Sequence, residues 1–133
     1  MKHLLSAFAL TLAFCLSIAA PAHSEPASTI AGEWVVDLST ATQENYTQPM
    51  RLMLEPDGTV TGAFYNSAIQ AGRWENGRGR TCVSFRTTDG EGPYHTAACL
   101  IGAEVVGQTW AEDRNFLFNW NATRPSQNDP GAQ

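Results

Sequence analysis

The chain has 133 residues, 8 of them basic and 13 acidic, for a formal net charge of −5. That balance argues against nucleic acid or an anionic membrane as partner, and the length holds one domain with a modest core. The first 24 residues read as a signal peptide: Lys2 and His3 form a short basic start, residues 4–20 are almost continuously apolar, and Ala22-His23-Ser24 supplies small residues for cleavage. The apolar run is too short for a comfortable membrane span, and bulky Phe14 before Cys15 argues against a lipoprotein signal. The leader style is bacterial and places the mature protein in the periplasm or outside the cell. Cleavage removes the only lysine and one cysteine. It leaves Cys82 and Cys99, an even pair that reads as a disulfide in an oxidising compartment.

Residues 25–31 form an N-terminal extension, and the barrel domain runs over residues 32–124. Gly32-Glu33-Trp34 opens the first strand, residues 32–38, where Trp34, Val36 and Leu38 alternate with polar positions. Residues 39–49 form the longest loop. The second strand, 50–55, turns through Pro56-Asp57-Gly58 into the third, 59–65, which makes the clearest hairpin of the chain. The fourth strand spans 69–75, and Asn76-Gly77 marks the hairpin into the fifth, 80–87. The sixth, seventh and eighth follow at 94–101, 104–110 and 114–123. Residues 125–133 have little to pack and read as a disordered tail.

Folding the fifth and sixth strands about Gly90-Glu91 sets Cys82 opposite Cys99, Ser84 opposite Ala97 and Arg86 opposite His95. On the other face Val83 meets Ala98 and Phe85 meets Thr96. Directly opposed residues in a non-hydrogen-bonded pair come within disulfide distance. The cysteines therefore agree with a register they did not set, and the bridge braces the outer wall. Eight consecutive short strands with short loops predict an all-β, eight-stranded antiparallel up-and-down barrel, because closure removes the edges.

At this level the chain resembles the calycins, the small barrels that include lipocalins and avidins. There a Gly-x-Trp on the first strand plugs the closed end and a late basic residue packs on the indole. Trp34 and Arg124 match those positions. Within the group the chain is most similar to avidin- and streptavidin-like proteins. Asp57-Gly58-Thr59-Val60-Thr61-Gly62-Ala63-Phe64, Asn66-Ser67-Ala68, Ala71-Gly72-Arg73-Trp74 and Gly107-Gln108-Thr109-Trp110 carry the likeness. The departures fall on the biotin site: Phe64 replaces a tyrosine, Phe85 and Leu100 replace tryptophans, and Val36 replaces an asparagine. Unpaired polar atoms around a ureido ring are costly, so the resemblance implies the container without its usual ligand.

Chemistry is sparse. His95 faces outward beside Arg86, no His/Cys/Asp cluster has metal-ligand spacing, and no base–nucleophile pair appears. Neither an enzyme nor a cofactor is expected. The expectation is an exported barrel binding a small apolar or amphipathic ligand at its open end. Phe64, Phe85 and Trp110 would wall the site, Asn66 and Thr96 would orient the ligand, and residues 39–49 would form a mouth loop. The alternatives are a protein-binding module, such as a lipocalin-like protease inhibitor acting through residues 25–31, and a non-catalytic envelope protein.

Overall fold

The computed structural model describes residues 29–126. The expected leader, most of the extension and all but the start of the tail lie outside the described residues. Nine strands follow in order: β1 Gly32–Asp37, β2 Thr47–Leu54, β3 Thr59–Phe64, β4 Ser67–Ala68, β5 Gln70–Gly77, β6 Arg80–Thr88, β7 Pro93–Ile101, β8 Glu104–Ala111 and β9 Phe116–Thr123. Each long strand pairs antiparallel with its sequence neighbours. β1 also pairs with β9, through Val35↔Thr123, Val36↔Ala122 and Asp37↔Asn121. Eight strands thus close an all-β, up-and-down, calycin-like barrel, and β4 is a two-residue rung on β3.

Side-chain parity decides which residues fill it. Along β8 burial alternates without a break, with Val105, Gly107, Thr109 and Ala111 inward and Glu104, Val106, Gln108 and Trp110 outward. The same alternation on the other strands sends Trp34, Met50, Leu52, Val60, Phe64, Val83, Phe85 and Trp120 into one core.

The β6–β7 register is the expected one, including Cys82↔Cys99, Ser84↔Ala97, Arg86↔His95, Val83↔Ala98 and Phe85↔Thr96. Cys82 and Cys99 are joined by a disulfide, with Cα atoms 4.0 Å apart. The hairpin before β6 is displaced from its sequence signal. Asn76 and Gly77 stay in the ladder opposite Thr81 and Arg80, and the turn falls on Arg78-Gly79. Both turn residues have positive φ, 53° and 77°, the conformation that matches the twist of the flanking strands.

The closed end explains the Gly-x-Trp spacing. Trp34 is buried, and its indole Nε1 donates to the Ile30 carbonyl at 2.8 Å. The Arg124 guanidinium lies 3.8 Å from the centre of the indole. It donates from Nη1 to Glu33 O at 3.1 Å and from Nη2 to Thr29 O at 2.6 Å. Gly32 has φ +107°, and a Cβ there would stand 2.7 Å from Arg124 Nη1, so only glycine leaves the arginine its seat. Ile30 is fully buried in this plug. Residues 29–31 therefore belong to the barrel and not to a free extension.

One seam is interrupted. β3 and β5 share only Thr59↔Arg73 and Val60↔Gly72, and the β5–β6 register slips between Gln70 and Arg73. Gly72 lies so close to the Val60 carbonyl that a Cβ would meet its oxygen at 2.2 Å.

Candidate ligand site at the open end

The strand directions collect four connections at the end opposite Trp34: residues 38–46, 65–69, 89–92 and 112–115. Among them a half-enclosed cavity of about 440 Å³ enters the barrel, within the size range of small-molecule sites. Phe64 and Phe118 line its lower wall and Leu38 and Phe116 its sides. Below, the barrel is filled. Trp120 stacks on Phe64 with ring centres 5.5 Å apart, and Phe85 meets Phe64 edge-on at 5.9 Å.

A buried hydroxyl chain fixes this floor. Trp120 Nε1 donates to Thr109 Oγ1 at 3.0 Å, and Thr109 and Thr96 share a hydroxyl hydrogen bond of 2.9 Å. Opposite Trp120 stands Gly107, where a Cβ would lie 2.5 Å from the ring. The small residue on β8 is what lets the indole cross the barrel.

Most polar groups of the mouth come from the connections, with Thr87, Tyr94 and Asn119 added from strand ends and from β9. The 38–46 loop is itself a small built hairpin: Thr40 and Gln43 exchange backbone hydrogen bonds at 2.9 and 3.2 Å, and Leu38 N–H donates to Tyr46 O at 2.8 Å. It is shorter than expected because β2 begins at Thr47. Ser39, Thr40, Gln43 and Tyr46 of this loop line the cavity. All three tyrosines of the chain meet here. Tyr46 and Tyr65 join through their hydroxyls and set their rings edge to face, 6.2 Å between centres. Tyr94 OH donates to Asp89 Oδ2 at 2.8 Å, and Arg114 Nη2 donates to the same oxygen at 3.2 Å. The Arg114 guanidinium also stands 5.9 Å from the centre of the Tyr94 ring. Thr87 lines the cavity although it is 3 % exposed.

These contacts set the charge states. The Glu91 backbone N–H, donating to Asp89 Oδ1 at 2.9 Å, and then the Tyr94 hydroxyl hold the Asp89 carboxyl below its ordinary value. Burial, and then the bond to Asp89, push the Tyr94 phenol up. The Tyr46 hydroxyl bond, followed by burial, does the same to Tyr65. Tyr65 and Tyr94 therefore present neutral phenols at the mouth, and Asp89 is a carboxylate.

Of the five residues expected to hold a ligand, one lines this cavity. Phe64 is part of its wall. Phe85 lies one layer deeper, behind Phe64. Thr96 is 2 % exposed and spends its hydroxyl on Thr109, so it supports the floor and does not reach the mouth. Asn66 takes φ 62° in an exposed turn, where its neighbours Tyr65 and Ser67 turn to the cavity instead. Trp110 is on the outer wall, opposite His95 and Leu117, because Thr109 holds the inward position of β8.

A shallower and more open depression of about 970 Å³ crosses the outer wall, where Ser84, Ala97, Gln108 and Asn119 leave the disulfide uncovered. It is more open than the mouth, and Arg73, Arg80 and Val106 also border it. Among the described residues no three His, Cys, Asp or Glu side chains gather as metal ligands. No family model, curated protein or solved structure matches the chain.

Proposed function

We propose that the protein is an exported barrel that binds a small apolar or amphipathic molecule at its open end, in the manner of calycins. The observation that carries this reading is the half-enclosed cavity of about 440 Å³ above an otherwise filled core, with apolar walls and polar groups from all four connections. A pocket of apolar area with a few convergent polar groups is the usual form of a small-molecule site. The disulfide fits an oxidising compartment. The likeness to avidin-like proteins along Asp57 to Phe64 concerns the hairpin, while the polar mouth of this chain is built from other residues.

Thermal shift and native mass spectrometry against a metabolite panel, biotin included, test the reading. A binder should raise Tm and lose its effect in a Phe64→Trp variant, which fills the cavity from below. A panel hit unaffected by that variant and by Tyr65→Ala would place binding elsewhere and overturn the proposal.

A further inference from the structure

Charge is distributed unevenly over the barrel. The four connections at the open end carry Glu44, Asp89, Glu91, Glu112 and Asp113 against a single arginine, Arg114. Glu112 has a partial partner in His95, whose Nε2 lies 2.8 Å from its carboxylate on the outer wall. The others have no basic partner among the described residues except Asp89, which Arg114 holds. Carboxylates around a cleft with low-dielectric walls focus a negative potential into it.

The cavity inside that rim is aromatic. Tyr46, Tyr65 and Tyr94 sit at its entrance, with Phe116 and Phe118 beside them. The faces of such rings attract cations, most strongly where water is displaced. The free protein already shows one cation held this way: the half-exposed Arg114 side chain stands over the Tyr94 ring and against the Asp89 carboxylate. Asp89 and the Tyr94 face thus form a seat for a positive group, taken here by a side chain from the neighbouring connection.

We propose that the mouth takes a small organic cation, a quaternary or protonated amine on a compact apolar body. The positive head sits among Tyr46, Tyr65 and Tyr94 under the acidic rim. The body enters toward Phe64 and Phe118, and Thr87 offers its hydroxyl to a polar substituent. Arg114 shifts aside or shares Asp89 as the ligand enters. This inference rests on the mouth being the binding site and adds the sign of the ligand's charge.

Three probes of nearly equal shape test it by NMR titration of the intact protein: choline, neohexyl alcohol (carbon in place of nitrogen) and the tert-butylacetate anion. The cation should move the tyrosine ring signals with an affinity at least roughly tenfold above that of the alcohol, and added salt should weaken it. The anion should bind more weakly than either. Tyr94→Leu keeps apolar bulk but removes the ring face, and should abolish the preference for choline while alcohol binding persists. Should that variant unfold, the surface pair E44Q/E91Q serves instead, lowering choline affinity severalfold without touching the alcohol. Equal affinity for cation and alcohol, or preference for the anion, overturns the cation inference and leaves the mouth as the site. Shifts confined to the outer wall overturn both.

Discussion

Replacing Gly107 by alanine tests whether the barrel floor is packed as described. The added Cβ would lie 2.5, 2.6 and 2.8 Å from three atoms of the Trp120 ring, where ordinary contact begins at 3.4 Å. The ring must move by nearly an ångström. It is held on its far side by Phe64, at 5.5 Å between centres, and tethered at Nε1 to Thr109. Moving it therefore either strains the stack or breaks the hydrogen bond. Overpacking of this kind costs about 1–3 kcal/mol, and a lost buried hydrogen bond about 1 kcal/mol more. The expected destabilisation is about 2–4 kcal/mol, which for a domain of this size lowers Tm by on the order of 10–20 °C. Urea unfolding followed by tryptophan fluorescence and near-ultraviolet dichroism measures it. Gly77→Ala is the internal control. Its nearest neighbour would be the flexible Glu75 carboxylate at 3.5 Å, so its effect should stay within about 0.5 kcal/mol. If the two alanine variants unfold at the same urea concentration, Trp120 does not cross the barrel against Gly107.

Reducing the disulfide, or replacing both cysteines by alanine, should cost about 3 kcal/mol, the chain-entropy value for a separation of 17 residues. The β6–β7 pairing should nevertheless survive, since seven residue pairs hold it; loss of sheet dichroism would contradict this. Arg124→Gln removes the cation over Trp34 and should destabilise by about 1–2 kcal/mol after allowance for exposure, with a shift in Trp34 emission. An unchanged emission would place that indole in another environment. Tyr65 and Tyr94 have raised folded values, so their share of stability is complete below the ordinary phenol pKa and is lost as pH rises through the folded value. Tyrosinate absorbance should therefore lag that of the urea-unfolded chain on the way up in pH, and coincident curves would refute the Tyr46–Tyr65 and Tyr94–Asp89 bonds. Asp89 has the opposite sign. Its folded value is depressed, so its contribution stands above the ordinary carboxylate pKa and disappears as pH falls through the folded value.

The parts of the fold that were legible in the sequence are those written locally. The β6–β7 register followed from a turn centred on Gly90-Glu91, with which the two cysteines agree, and the closed end followed from Gly32, Trp34 and Arg124. The β5–β6 turn was misplaced by two residues because Asn76-Gly77 is a strong local signal, yet both residues fit the ladder and Arg78-Gly79 can also take positive φ. Trp110 was set in the ligand wall by the likeness of Gly107-Gln108-Thr109-Trp110 to the avidin-like stretch, and because β8 carries a valine on each face, Val105 and Val106, apolarity alone does not decide its parity. The pairing of Gly107 with Trp120 does. The mouth was hidden for another reason: its polar residues come from connections far apart in sequence, and no short motif unites Tyr46, Tyr65, Tyr94, Asp89 and Arg114. One signal was available. Once strand directions are assigned, every tyrosine of the chain falls at the same end of the barrel.

The interrupted seam of β3 against β4 and β5 gives the cylinder a clasp. Two pairs through β5 and two through β4 hold β3 there, and three hold β1 to β9, against eight between β7 and β8, so thermal opening at these two short seams should turn the tube into a curled sheet before the long ladders part. The disulfide clips β6 to β7, on the far side of β5, and leaves the clasp free. The amides of Thr59, Val60, Gly72 and Arg73 should thus exchange with solvent before those of the β6–β7 and β7–β8 ladders in a hydrogen-exchange measurement. A bound molecule touching both Phe64 on β3 and Thr87 on β6 would bridge the opening and fasten it from within.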